Sequence, residues 1–295
     1  MQLGLDGLAV DGVAVNRVQP FKTQLLKWVG NKQRFAHEII SYLPPSYGTY
    51  YEPFVGSGAV LGTLAPSQSV ASDALGPLID LWQTLGEQPE TLKAWYAERW
   101  NAVMSGDKVA GYEAVKASYN AEPNAADLLF ISRSCYGGVV RFRQDGYIST
   151  PCGAHKPVHP DSFCRRVDIW HSRVHRTTFI HADFESVMDR SHAGDVIYCD
   201  PPYTHTQAIL YGAQRFELER LFRVIRRVKD RGVRVLLSID GSKRSGDLLC
   251  DIPVPPNLFE REVMVNVGRS MLRRFQMRGE TLEGEVVRDR LLLTY

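Results

Sequence analysis

Cysteine is scarce and scattered in this chain: Cys135, Cys152, Cys164, Cys199 and Cys250 are odd in number and show no two-residue spacing. That argues against a disulfide framework and against a paired-cysteine zinc site, and it suits a reducing cytoplasm. The histidines offer no metal-ligand pair beside a carboxylate; His171 and His175 fall four apart and share a helical face, which argues little for a zinc site. No apolar run approaches the ~18 residues that a membrane span needs. The first twenty residues include Asp6 and Asp11 and lack the cationic start and apolar stretch of a secretory signal, so they read as a loosely docked arm. An excess of one charge is missing too. With a net charge of +2, affinity for a polyanion has to come from local clusters. Internal repeats and low-complexity tracts are absent as well.

What is present is an alternation of strand-like and helix-like segments. Thr23 to about Leu43 has near-helical apolar spacing and predicts a helix interrupted around Gly30. Tyr47 to Val55 favours a strand, Gly56-Ser57-Gly58 breaks it, and Ala59 to Leu64 starts a helix. A short strand from Ser69 to Ser72 ends on Asp73, completing the start of a nucleotide-type βαβ unit. Leu78 to Val103 and Tyr112 to Tyr119 predict helices. Thr178 to Ile180, Val196 to Cys199 and Val233 to Ile239 predict buried strands, Phe216 to Lys229 an amphipathic helix, and Leu291 to Leu293 a last strand. Arginines 220, 223, 226 and 227 lie opposite that helix's apolar stripe and read as a solvated face. Between Arg133 and Arg176 the composition turns basic. Arg133, Arg141 and Arg143 alternate there with Tyr136, Phe142 and Tyr147, as a hairpin touching phosphates and bases would require.

The sharpest chemistry lies where the strand Val196 to Cys199 runs into Asp200-Pro201-Pro202-Tyr203. The amine of an aromatic ring is a poor nucleophile because its lone pair is delocalised. A site that accepts hydrogen bonds from both N–H groups favours a tetrahedral nitrogen. Asp200 supplies one acceptor, and the Pro201 carbonyl, with no proline N–H nearby to compete for it, supplies the other. Tyr203 can stack on an extruded base. The plainer reading is a rigid turn after a strand. Cys199 beside it reads as packing, because this chemistry needs no thiol. In Glu52-Pro53-Phe54-Val55-Gly56-Ser57-Gly58, the turn lets backbone approach a ligand closely; alone it is about as often structural. For Lys27-Trp28-Val29-Gly30-Asn31-Lys32, residue types alone favour a surface lysine pair and a core tryptophan.

Taken together and in this order, the Lys27 to Lys32 hexapeptide, the glycine turn, Asp73, Asp183-Phe184 and Asp200 to Tyr203 resemble Dam-like DNA adenine methyltransferases of the D12 class, or α-group. The likeness extends from about Leu25 to the end, with Ser134 to Gly153 similar to the DNA-reading hairpin and Arg288 to Tyr295 to the closing strand. The resemblance implies a Rossmann-like α/β sheet with helices on both faces. A catalytic domain would span 21–80 and 177–295, an arm 1–20, and a mostly helical DNA-binding insertion with a β-hairpin 81–176. It implies S-adenosylmethionine as cofactor, S-adenosylhomocysteine as product and no metal. Cofactor contacts would come from Trp28, Lys32 (at the cofactor carboxylate), Phe54, Gly56, Ser57 and Gly58, from Asp73 at the ribose, and from Asp183 and Phe184 at the adenine ring, with Asp200. Asp200, Pro201, Pro202 and Tyr203 would hold the target base, and Arg133, Tyr136, Arg141 and Arg143 would meet duplex DNA. The expected activity is methylation of adenine N6 in a specific site of duplex DNA, by a monomer in a bacterial cytoplasm or phage-infected cell, with or without a cognate restriction endonuclease. Gly137 and Ala154 replace the Asn and basic residue common in GATC-reading members, which weakens the case for GATC. A second departure is Ser238-Ile239-Asp240-Gly241, where many members have Ser-Asn. Cytosine N4 methylation, a catalytically silent DNA-binding relative and an RNA or protein methyltransferase are the competing readings.

Overall fold

The computed structural model describes residues 18–202, 216–243, 248–249, 253–268 and 287–295. Most of the expected arm, Tyr203 and Cys250 lie outside the described residues. The described elements, in chain order, are α1 (Ala36–Ser41), β1 (Tyr50–Glu52), α2 (Ala59–Leu64), β2 (Ser69–Asp73), α3 (Gly76–Glu87), α4 (Pro89–Met104), α5 (Lys108–Ala121), α6 (Ala125–Ser134), α7 (Pro160–Val174), β3 (Thr177–His181), α8 (Phe184–Met188), β4 (Val196–Cys199), α9 (Leu218–Asp230), β5 (Arg234–Lys243), β6 (Leu248–Leu249), β7 (Arg261–Gly268) and β8 (Val287–Leu293).

The strands form one sheet in the order β3-β2-β1-β4-β5-β8-β7, with β6 paired to β5. The first five are mutually parallel, and β8 and β7 join antiparallel. This is a Rossmann-like doubly wound sheet, and the order in which the chain adds its strands reverses between β1 and β4. Ligands of such sheets bind beyond the carboxyl ends of the strands at that switch point.

Side chains alternate between two apolar cores. Tyr50, Val196, Tyr198, Leu236, Leu291 and Leu293 face one; Tyr51, Ile197, Cys199, Val235, Leu237 and Leu292 face the other. Covered on both faces, β4 is buried at every position, which is why its sequence reads as an unbroken apolar run. α8 and α9 cover the second face, while α1, α3 and the helices α4 to α7 share the first core with the sheet. Asp107 and Asn124 cap α5 and α6, accepting from the backbone N–H of Ala110 and Asp127.

Strands β1 to β5 and β8, helix α9 and the helices of 78–119 fall where the sequence predicts them; β6 and β7 have no predicted counterpart, and residues 23–35 do not form the predicted helix. Its carbonyls are taken by side chains of the insertion. Trp170 Nε1 donates to Thr23, Arg166 Nη1 to Gln24 (3.2 Å) and Arg133 Nη1 to Leu25 (2.9 Å). A helix needs those acceptors for its own N–H groups. Gly30, at φ +75°, then turns the chain before α1.

Candidate active site

A cavity of about 500 Å³ opens beyond the carboxyl ends of β1 and β4. One wall is the glycine turn. Gly56 and Gly58 have φ of +45° and +62°, where only glycine is at ease. Trp28 and Trp82 pack against them, and a Cβ on Gly58 would come within 3.0 Å of Trp82. The turn is fixed from the end of β2. Asp73 Oδ2 accepts from Gly56 N–H and Oδ1 from Leu75 N–H, both at 3.1 Å, and Trp82 Nε1 donates to the Gly56 carbonyl. Asp73 therefore lines the cavity while ordering the turn, and keeps lone pairs for a donor such as a sugar hydroxyl.

The second wall is the end of β4. Asp200, Pro201 and Pro202 line the cavity together with Tyr198, whose hydroxyl is hydrogen-bonded with Ser238. Lys32 also lines it, but its Nζ lies 3.2 Å from Asp200 Oδ1, with both side chains largely buried. Sequence reasoning sends Lys32 to a cofactor carboxylate; here it pairs with the catalytic candidate. A residue that sequence reasoning left without a role, Glu52, stands beside them. It is buried, its carboxylate accepts from Tyr50 Oη at 2.6 Å, and it lines the same cavity. Burial, assisted by the nearby Asp200 charge and opposed by the Tyr50 hydrogen bond, pushes its carboxyl up to about 8. The hint in the sequence was an acidic residue at a strand end just before the glycine turn. Burial together with Asp200 and Glu52 drives the Cys199 thiol far above its ordinary range, so it is inert packing.

At the far end the cavity becomes an aromatic slot. Phe54 and Phe184 stack with centroids 5.2 Å apart, and Phe216, at the start of the segment leading into α9, meets both edge-on. Asp183 caps α8 by accepting from Glu185 N–H and borders the slot. Arg220, read from sequence as part of a solvated face, instead reaches across from α9 to Asp183 and Glu185, and Arg227 pairs with Glu185 and Asp189. A flat ring with N–H donors, a hydroxylated sugar and a charged tail match this sequence of walls.

The basic hairpin follows α6. Cys135 faces Cys152 and Phe142 faces Ile148 across it, burying Val139, Val140, Phe142 and Ile148. Arg143 and Tyr147 point outward, with the guanidinium over the ring, and Tyr136 is exposed on the adjoining turn. The tip, Arg143 to Gly146, reaches the cavity. Arg133 departs from the expected DNA-facing set. It is buried, and its Nη1 is spent on the Gln24 and Leu25 carbonyls, so it holds the fold together and presents nothing to a phosphate.

Comparison with known proteins gives the site a context. The sequence model of D12 class N6 adenine-specific DNA methyltransferases matches residues 28–267. The chain is 29% identical over 244 residues to the DNA N-6-adenine-methyltransferase of Escherichia phage P1, a match covering 78% of this chain and 31% of that protein. It is 30% identical over 191 residues to the retron Ec67 DNA adenine methylase of Escherichia coli, covering 62% of this chain and 64% of the other. The DNA adenine methylase of Vibrio cholerae is 27% identical over 226 residues, covering 72% and 79%. The chain thus spans less than a third of the phage relative and just under two thirds of the retron one. With most of its length matched by one family, and that family's motifs gathered on one cavity, the chain belongs to the D12 class of N6 adenine-specific DNA methyltransferases.

Proposed function

We propose that this chain methylates the exocyclic N6 amine of adenine in a specific duplex DNA sequence, using S-adenosylmethionine. The observation that carries the reading is the single cavity shared by Asp200 to Pro202, the glycine turn and the Asp183-Phe184 slot. The slot suits a purine, Asp73 a ribose diol, and the backbone around Gly56 a polar tail, so the residues fit that cofactor. When bound, it supplies an electrophilic methyl group on a sulfonium.

Asp200 and the Pro201 carbonyl accept the two N–H groups of the target amine, which localises the lone pair on nitrogen. As positive charge builds on that nitrogen, the Asp200 carboxylate stabilises it electrostatically. Lys32, paired with Asp200 Oδ1, helps hold that carboxylate in place. Tyr203 stacks on the extruded base. Arg141, Arg143 and Tyr136 provide the contacts to duplex DNA, Arg133 being withdrawn from that set. A restriction endonuclease of matching specificity is the protein partner this reading accommodates, in a bacterial cytoplasm or a phage-infected cell. Methylation-sensitive sequencing of DNA from an expressing host identifies the site.

The test is Asp200→Ala, with methyl transfer to duplex DNA followed by nucleoside analysis. Transfer should vanish in the variant while S-adenosylhomocysteine binding stays within a few-fold of wild type. Retained transfer refutes the assignment of Asp200, and methylcytosine as the wild-type product refutes adenine as the target.

A further inference from the structure

We infer that Arg220 is a positioning residue that sets the purine selectivity of the cofactor slot by aiming Asp183; the inference rests on the cofactor reading above. An ionised carboxylate offers about four acceptor positions. On Asp183, Oδ1 already accepts from Glu185 N–H (3.0 Å) and from Arg220 Nη2 (2.6 Å), and Oδ2 accepts from Arg220 Nη1 (3.1 Å). One position remains, on Oδ2. A two-pronged guanidinium grip fixes the plane of the carboxylate as well as its charge. Arg220 Nε is anchored in turn on Glu185 Oε2 at 2.7 Å.

The same guanidinium lies 4.8 Å from the centroid of Phe184, whose ring stacks on Phe54. One side chain thereby braces both the flat surface of the slot and the acceptor at its edge. Because the grip holds Asp183 as an acceptor only, the slot favours a purine with a donor at position 6, an amine, over one with a carbonyl there. Buried or rigidly held polar groups that lose their partner give such sites their discrimination.

The experiment measures binding and does not depend on turnover. Calorimetry with S-adenosylhomocysteine and with its 6-oxo (inosine) counterpart is run on wild type, Arg220→Met and Arg220→Lys. Wild type should prefer the adenosine form strongly. Arg220→Met should weaken that form about tenfold, an energetic loss typical of one charged hydrogen bond, and weaken the inosine form less than threefold. Arg220→Lys, which keeps the charge and loses the fork, should fall between. Because Arg220 is one-third exposed, melting temperatures of the variants should stay near wild type, and the lysine variant carries the test if the methionine variant unfolds. Unchanged selectivity in both variants overturns the inference, as does equal weakening of the two ligands, which would mark a structural role alone. Failure of wild type to bind either ligand would instead overturn the cofactor assignment on which it stands.

Discussion

Glu52 gives the site a measurable pH signature. In the folded chain its carboxyl keeps a proton up to about pH 8, whereas an ordinary glutamate loses it near 4.5. Between those values the unfolded chain has released one proton more than the folded one. The group's contribution to stability is therefore complete below pH 4.5, falls as pH rises through the window, and is lost at the folded value. One proton corresponds to about 1.4 kcal/mol per pH unit, so about 3 kcal/mol should disappear over two units in mid-window, for instance from about pH 5.5 to 7.5. Glu52→Gln is close to isosteric, cannot ionise and can still accept from Tyr50. Its urea-unfolding free energy, measured across that range beside wild type, should lack this one-proton slope. Any fixed cost of the amide shifts the curve without tilting it. Parallel curves for the two proteins would show that Glu52 is ionised in the fold and would refute the reasoning.

Three further outcomes follow from the geometry. Arg141→Ala and Arg143→Ala should each reduce the salt dependence of duplex DNA binding by about one unit of slope. Arg133→Ala should leave that slope unchanged and lower stability by about 2 kcal/mol, because the Gln24 and Leu25 carbonyls lose a charged donor; a reduced slope in Arg133→Ala would return that residue to the DNA face. Gly62→Ala places a methyl group into the ring of fully buried Trp170 and should cost about 1–3 kcal/mol in denaturant unfolding. Wild-type stability in that variant would show that the α2–α7 contact yields freely.

The parts of this fold legible in the sequence are those decided locally. β4 is readable because burial on both faces demands four apolar residues in a row, and the two prolines after Asp200 mark its end. The glycine turn is readable because positive φ selects glycine. What stayed hidden is decided by long-range packing. Helical spacing in residues 23–35 is real, yet Arg133, Arg166 and Trp170 compete for the same carbonyls and win. Arg133 stands two residues from the hairpin neck, but only the direction in which α6 packs reveals that it points inward. Lys32 carries no mark in sequence that it meets Asp200, nor Arg220 that it meets Asp183, because each pair joins distant segments. The pH behaviour of Glu52 is likewise a property of its burial.

The grip of α6 and α7 on the carbonyls of residues 23–25 bears on how recognition diversifies in such a chain. Those residues lead directly into Lys27, Trp28 and Lys32, so the helices beside the hairpin also serve as the brace of the cofactor cavity. Transplanting the whole helical insertion from another member would remove that brace, and with it the alignment of Lys32 on Asp200. Exchange confined to the hairpin beyond the Cys135–Cys152 neck leaves it intact. If the hairpin reads DNA as proposed, a change of target site is accommodated at the scale of that loop, because the helices that carry it also hold residues 23–25.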